Sequence, residues 1–263
     1  MDFPDPLIKG RLIRRYKRFL ADVELGNGKT VVAHCANTGG MLGLKEPGIE
    51  VWLSPSRNPD RKLKYTWELA RAEGHLVGIH TGHPNGIVYD AVATGQIPEL
   101  SGYQNIRREV RYGKNSRIDL LLENPDLELA NCYVEVKNVH LKRDHRTAEF
   151  PDAVTARGAK HLEELGDMVE AGHRAVMFYL VQRGDCERFK IAADIDPAFN
   201  QALKRANARG VEALCYACDI TTQSVILGNP LPFALNPIDT LSSYPHTGYS
   251  ASPTKRRPLP RNP

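Results

Sequence analysis

Apolar and polar positions alternate with a period of two through much of the first third of the chain. Phe19, Ala21, Val23 and Leu25 alternate with polar positions, Gly26-Asn27-Gly28 turns the backbone, and Thr30–Cys35 returns as a second strand. Gly48–Leu53, Trp67–Arg71 and His75–His80 add further short strands. Short strands, glycine-rich turns and a basic opening suit a small barrel of the OB type. At Pro84-Asn85 the pattern changes and predicts a helix through Gly86–Ala93, stopped by Gly95 and Pro98. Tyr103–Tyr112 reads as a strand, and the apolar runs Ile118–Leu122 and Tyr133–Val139 around a polar connection read as a hairpin. Ala153–Gly172 carries Val154, Gly158, Leu162, Leu165 and Val169 at helical spacing. Arg174–Gln182 is nearly all apolar, as a central strand is. A strand at Phe189–Ala193, an amphipathic helix at Ala198–Ala208 closed by Gly210, and strands at Val211–Ile220 and Ser224–Leu227 complete the reading. From Leu235 the composition turns to Pro, Ser, Thr and basic residues, which predicts a flexible tail over 235–263.

The hairpin interrupts its apolar runs with charge. Asp119 breaks the first run, and Glu135 and Lys137 break the second. Residues two apart on a strand share a face, so Glu135 and Lys137 point together and Val134 and Val136 point the other way. Pairing the strands brings Asp119 to the same place. Unpaired charges among Leu and Val cost several kcal/mol or more. A divalent cation between the carboxylates removes that cost and supplies a Lewis acid, while Lys137 holds a water or a phosphate. The competing reading is a structural ion pair between Lys137 and Glu135.

Composition changes the picture little. The chain has 263 residues, 41% hydrophobic and 25% charged, enough for one large or two small domains. No apolar run approaches the ~20 residues that span a bilayer, and the opening MDFPDPLIKGR lacks the apolar block of a secretion signal. Five cysteines, an odd number in a chain this long, point to a reducing cytoplasm. The net charge of +4 resides in the segment Thr240–Pro263, where Lys255, Arg256, Arg257 and Arg261 face no acid, so the rest of the chain is near neutral. Affinity for nucleic acid in the body therefore depends on clustering. Lys9–Arg18 is such a cluster, with six basic residues and no acid. Arg14, Arg15, Lys17 and Arg18 read as a phosphate-tracking groove with Tyr16 as a stacking ring, or as a charged strand edge. His140–Arg146 reads as a basic loop, placing Lys142 and Arg143 near a DNA strand or in solvent. Two pairs invite metal readings. His80 and His83 close a strand and precede a proline with no second ligand pair after them, and Cys215 and Cys218 on a strand face opposite sides. They read as a domain boundary and as buried free thiols.

Asp119 followed by Glu135-Val136-Lys137 resembles the D…(D/E)xK core of the PD-(D/E)XK nuclease superfamily. The resemblance narrows with Asn37-Thr38-Gly39-Gly40-Met41, Arg107-Arg108-Glu109-Val110, Arg117-Ile118-Asp119, Phe150-Pro151-Asp152-Ala153-Val154-Thr155, Arg157-Gly158 and Lys160-His161-Leu162. Together these are similar to the sugar fermentation stimulation protein (SfsA) family, over about residues 6–233. The resemblance implies an α/β protein, with an N-terminal OB-like β-barrel over 1–83 and a nuclease-like mixed sheet flanked by helices over 84–234. It implies a cytoplasmic DNA-binding protein with metal-dependent phosphodiester hydrolysis. Asp119, Glu135 and the Val136 carbonyl would hold Mg²⁺ or Mn²⁺, and Lys137 would position the water. Glu109 is the nearest further acid, or else a salt-bridge partner of its arginines. His161 or Arg157 would face the metal from the following helix. Arg107, Arg108, Arg117 and Lys160 complete the basic set around double- or single-stranded DNA, with RNA as a lesser partner. The alternative from the same resemblance is a non-catalytic DNA-binding regulator of sugar (maltose) metabolism genes.

Overall fold

Alternation along the first six strands decides which side chains they enclose. The computed structural model describes residues 1–126 and 129–233. Its opening strands are β1 (Ile8–Tyr16), β2 (Leu20–Leu25), β3 (Thr30–Cys35), β4 (Glu50–Pro55), β5 (Tyr65–Ala72) and β6 (His75–Gly78). They lie in the order β3-β2-β1-β4-β5-β6, and a parallel pairing of β3 with β5 closes the first five into an OB-like barrel. Every second residue of β2 and β3 points inward, so Ala21, Val23, Ala33 and Cys35 pack against Leu12, Leu53 and Trp67. The basic cluster is β1 itself, whose outward positions carry the arginines.

Helix α1 (Pro84–Ala93) leads from the barrel into a second sheet. That sheet is built from β7 (Asn105–Tyr112), β8 (Ser116–Glu123) and β9 (Cys132–Val139), followed after an excursion by β12 (Arg174–Val181), β14 (Glu212–Ile220) and β15 (Val225–Pro230). The order is β15-β14-β12-β9-β8-β7, parallel at β9-β12-β14 and antiparallel at both ends. One face packs on α1 through Ile87, Val88 and Ala91, and Trp52 and Leu69 of the barrel enter that same core. The other face carries α2 (Ala156–Glu170) and α3 (Pro197–Ala208), with Leu162, Leu165 and Phe199 on Met177 and Tyr179. Cys215 and Cys218 fall on opposite faces and are free and buried. No helix among the described residues is long and apolar enough to cross a membrane.

The excursion departs from the expected pattern. β10 (Leu141–Lys142), β11 (Thr147–Phe150) and β13 (Arg188–Ile191) form a small sheet of their own, so the predicted strand at Phe189–Ala193 leaves the main sheet. Helix α2 starts at Ala156, because Thr155 caps it by accepting the Gly158 N–H. Val154 consequently precedes the helix and is 74% exposed, not part of its buried face. The predicted tail, 235–263, lies outside the described residues.

Buried polar contacts join barrel and sheet. Asp152 lies against the Asn37–Met41 turn and accepts the Met41 N–H at 3.3 Å. A Cβ on Gly40 would sit 2.9 Å from the Asp152 carbonyl, and one on Gly39 would collide with the Asp152 carboxylate. The close approach that needs these glycines is therefore to the protein's own second domain. Lys142 binds Asp185 at 2.6 Å and Glu73 of the barrel at 2.7 Å, and Arg183 grips Asp185 at 2.8 Å. Arg143 is paired to Glu149 and Asp194. The predicted basic loop thus spends Lys142 and Arg143 on internal carboxylates, which leaves neither free for phosphate.

Burial works against an ionised Asp185, yet Arg183 and Lys142 hold its carboxyl well below the usual range. A depressed carboxyl contributes stability above its unfolded pKa of about 3.9 and loses it as the pH falls through and below that value. Asp185→Asn leaves the buried Arg183 without a carboxylate and Lys142 with Glu73 alone, and is expected to cost about 3–5 kcal/mol in urea denaturation at pH 7. The difference from the parent should shrink below pH 4; an unchanged midpoint at pH 7 would contradict this assignment.

Candidate active site

Strand alternation puts Glu135 and Lys137 on the α2 side of the sheet. Val134 and Val136 of β9 enter the core under α1, so Glu135 and Lys137 project towards α2. β8 pairs with β9 at Leu122↔Cys132, Leu121↔Tyr133 and Leu120↔Val134, and the next step of this register sets Asp119 across from Glu135. The ladder stops there. Instead of a backbone carbonyl, the Asp119 carboxylate takes the Val136 N–H at 2.7 Å. On the other side of β8, pairing with β7 lapses between Arg108↔Leu120 and Val110↔Ile118, which leaves Glu109 opposite Asp119. Glu109 has φ 54°, a left-handed conformation that costs a non-glycine residue about 1 kcal/mol or more. It has no ion pair among the described residues, so the arginines on β7 do not claim it.

The two strand carboxylates differ in environment. Burial and the neighbouring Glu135 push the Asp119 carboxyl up to about 6, against the pull of the Val136 N–H, Lys137 and Asn85. Burial also raises Glu135, but hydrogen bonds from His161 and Lys137 outweigh it and hold that carboxyl below its usual value. Glu135 Oε1 takes both contacts, from Lys137 Nζ at 2.6 Å and from His161 Nδ1. Its Oε2 is buried with no partner among the described residues. An orphaned carboxylate oxygen beside a reluctant second carboxyl is a donor set that suits a hard dication.

His161 arrives from α2, where Gly158 keeps the helix close; a Cβ there would meet the Phe199 ring at 3.1 Å. His161 is 3% exposed, and its Nε2 faces Arg157 Nε at 3.3 Å. Lys160 reaches Ser116 at 3.2 Å and Glu164 at 3.5 Å. Arg157, Lys160 and His161 line a cavity of about 350 Å³ with Glu109 and Arg117. A wider one of about 570 Å³, at the β7–β8 turn, is bounded by Arg111, Lys114 and Arg117. Three contributors escaped the sequence reading. Asn85, at the start of α1, donates to Asp119 Oδ1 at 2.7 Å. The Tyr112 hydroxyl and Glu164 Oε2 are buried without partners among the described residues, and burial with the nearby Glu135 raises the Tyr112 hydroxyl well above its usual pKa. Asn85 had a legible signal, since it follows the helix-starting Pro84; the other two had none.

The barrel's basic residues divide. Arg14 pairs with Asp22 at 2.7 Å and covers the Tyr16 ring at 4.9 Å, while the Tyr16 hydroxyl binds Asp22 at 3.0 Å, so that ring is taken. Arg15 is spent on carbonyls of Arg18, Asn37 and Gly39. Lys17 and Arg18 stand exposed at the β1–β2 turn, Arg18 donating to the Thr38 carbonyl at 2.8 Å, beside Phe19, which is 48% exposed and was not expected as a ring facing solvent. Arg107 pairs with Glu123 at 3.3 Å and Arg108 lies over the Tyr89 ring at 5.4 Å.

A carboxyl moved from 3.8 to about 6 carries roughly 3 kcal/mol of unfavourable ionisation. Asp119→Asn avoids it and keeps an acceptor for Val136. In metal-free buffer at pH 8 the variant is expected to be more stable than the parent by about 1–2 kcal/mol while losing Mn²⁺ binding. The gain should vanish below pH 4, where the parent carboxyl is protonated in both states. A less stable variant at pH 8 would show that the charge is fully compensated without metal.

Residues 13–79 match the description SfsA N-terminal OB domain, and residues 82–224 match the Sugar fermentation stimulation protein RE domain. A sugar fermentation stimulation protein homolog of Paramagnetospirillum magneticum is 60% identical over 89% of this chain and 98% of its own length. The Rhodospirillum centenum homolog is 62% identical over 86% of this chain and 96% of its own. Among solved structures, Pyrococcus furiosus SfsA in complex with Ca²⁺ superposes with a TM-score of 0.78 at 26% identity, covering 89% of this chain and 98% of that one. The barrel, the mixed sheet that follows it and these full-length relatives agree: the chain belongs to the sugar fermentation stimulation protein (SfsA) family.

Proposed function

We propose that this chain is a DNA-binding, metal-dependent phosphodiesterase of the nuclease type. The observation that supports the reading is the buried Glu135–Lys137 pair next to Val136, whose N–H the Asp119 carboxylate takes, with Glu135 Oε2 buried and unpartnered among the described residues. Asp119, Glu135 and the Val136 carbonyl would hold the cation, with Glu109 across the strand as a further oxygen donor. All are oxygen donors, which favours Mg²⁺ or Mn²⁺ over softer metals, and a family member was solved with Ca²⁺, another oxygen-seeking dication. Bound there, the cation would draw charge from the scissile phosphate. The protein's own part is positional. His161 fixes Glu135 from α2, Asn85 fixes Asp119 from α1, and Lys137, bonded to Glu135 Oε1, would present its ammonium to the attacking water and the phosphoryl oxygens. Water adds to phosphorus and the P–O ester bond breaks, leaving a phosphate monoester and a free hydroxyl.

Arg117, Lys114, Arg157 and Lys160 ring the adjoining cavities and would take backbone phosphates, so binding would be largely indifferent to sequence. Lys17, Arg18 and the open Phe19 ring extend the track onto the barrel. The binding-only reading has one observation in its favour: Lys137 and His161 together occupy Glu135 Oε1.

Incubation with plasmid and single-stranded DNA in Mg²⁺ or Mn²⁺ is expected to give cleavage that EDTA stops and that Lys137→Ala and Glu135→Gln reduce at least ~100-fold. DNA retained without cleavage in any metal would replace the hydrolase by a regulator. Independently, Lys114→Ala with Arg117→Ala should lower the slope of log affinity against log salt by about 2. An unchanged slope would remove this face from the interface.

A further inference from the structure

The barrel brings a third donor to the two histidines at the domain boundary. Glu68 lies on β5, is 5% exposed, and points its carboxylate at the start of α1. Its Oε2 lies 2.8 Å from His83 Nε2, and its Oε1 accepts a hydrogen bond from Ser54 at 2.6 Å. The His80 ring stacks on His83, 4.0 Å between centroids and 18° from parallel. One nitrogen or oxygen from each of Glu68, His80 and His83 falls within 4.8 Å of the others, and no other such trio exists among the described residues.

We infer that Glu68, His80 and His83 form a second metal site, selective for a borderline dication of the zinc class, which pins strand β5 of the barrel to the N-terminus of α1. Two imidazoles and a carboxylate are a zinc-type donor set, distinct from the all-oxygen set at Asp119 and Glu135. Glu68 Oε2 is the acceptor for His83 Nε2, so binding of the metal at that nitrogen displaces its proton to Nδ1 or to solvent. Ser54 supplies the outer-shell hydrogen bond that orients the ligating carboxylate.

Metal–ligand bonds of ~2.0–2.2 Å at a tetrahedral angle separate donor atoms by about 3.3 Å. The Glu68–His83 contact therefore opens by about half an ångström, and the widest pair closes by no more than about 1.5 Å. His80 Nδ1 now accepts the Gly82 N–H at 3.1 Å. Whichever ring nitrogen binds, that N–H turns away, a motion that a Thr81-Gly82 segment can absorb. All five cysteines are buried, so the folded chain offers zinc no exposed thiolate in competition.

The test uses the untagged full-length chain, stripped with EDTA and titrated with Zn²⁺, and with Co²⁺ for its visible spectrum. The parent is expected to bind one Zn²⁺ at this site, to give the intense Co²⁺ bands of a four- or five-coordinate N/O site, and to melt several degrees higher with Zn²⁺. Glu68→Gln and His83→Gln should each weaken Zn²⁺ binding at least ~100-fold and abolish that melting shift. Asp119→Asn should leave both intact, which separates this site from the proposed hydrolytic one. His80→Asn, which removes no partner of Glu68, serves if either of the first two fails to fold. Equal Zn²⁺ affinity in the parent and in these variants, or no uptake by the parent, overturns the site.

Discussion

The structure turns on a carboxylate standing in for a strand. Where β8 should continue its ladder along β9, the Asp119 side chain accepts the Val136 N–H, so a backbone donor is satisfied while the strands part. That substitution opens space between Asp119 and Glu135 that a regular hairpin would fill. It also fixes what must surround the gap. Burying acid beside acid requires cationic or protonated neighbours, and α2 supplies His161 while β9 supplies Lys137. The left-handed backbone at Glu109 lies on the other side of the same lapse, as expected where a sheet is bent to aim side chains.

Much of this was legible because it rests on period. Two-fold alternation located the barrel strands and put Glu135 and Lys137 on one face with Val134 and Val136 on the other. The continuous apolar run at Arg174–Val181 is the strand with parallel partners on both sides. Contacts between distant segments were not legible. Lys142 and Arg143 looked solvated because Glu73, Asp185 and Asp194, which bind them, are far away in sequence. Val154 sat at helical spacing, but Thr155 capped the helix just after it, and the cap overruled the pattern. Tyr16 looked like a platform until Arg14 and Asp22 folded onto it. His80 and His83 looked incomplete because Glu68 belongs to another layer of the fold.

Helix α1 is the part through which the barrel and the second sheet affect each other. It begins at Pro84, directly after His83, and its second residue, Asn85, binds Asp119. Glu68 of the barrel holds His83. Four consecutive contacts, none of them longer than a hydrogen bond or a peptide link, thus connect β5 to Asp119. The α1 side of the sheet shares its apolar core with Trp52 and Leu69, which stiffens that path.

The Gly39-Gly40 step has an evolutionary corollary. Because Asp152 fills the volume where two side chains would stand, the barrel is keyed to this particular second domain. A barrel transplanted onto a foreign partner would carry a notch with nothing to fill it, and a foreign barrel lacking the notch could not seat here. Exchanging one half alone would leave that notch empty or obstructed, so a chimaera that keeps the seam intact must exchange both.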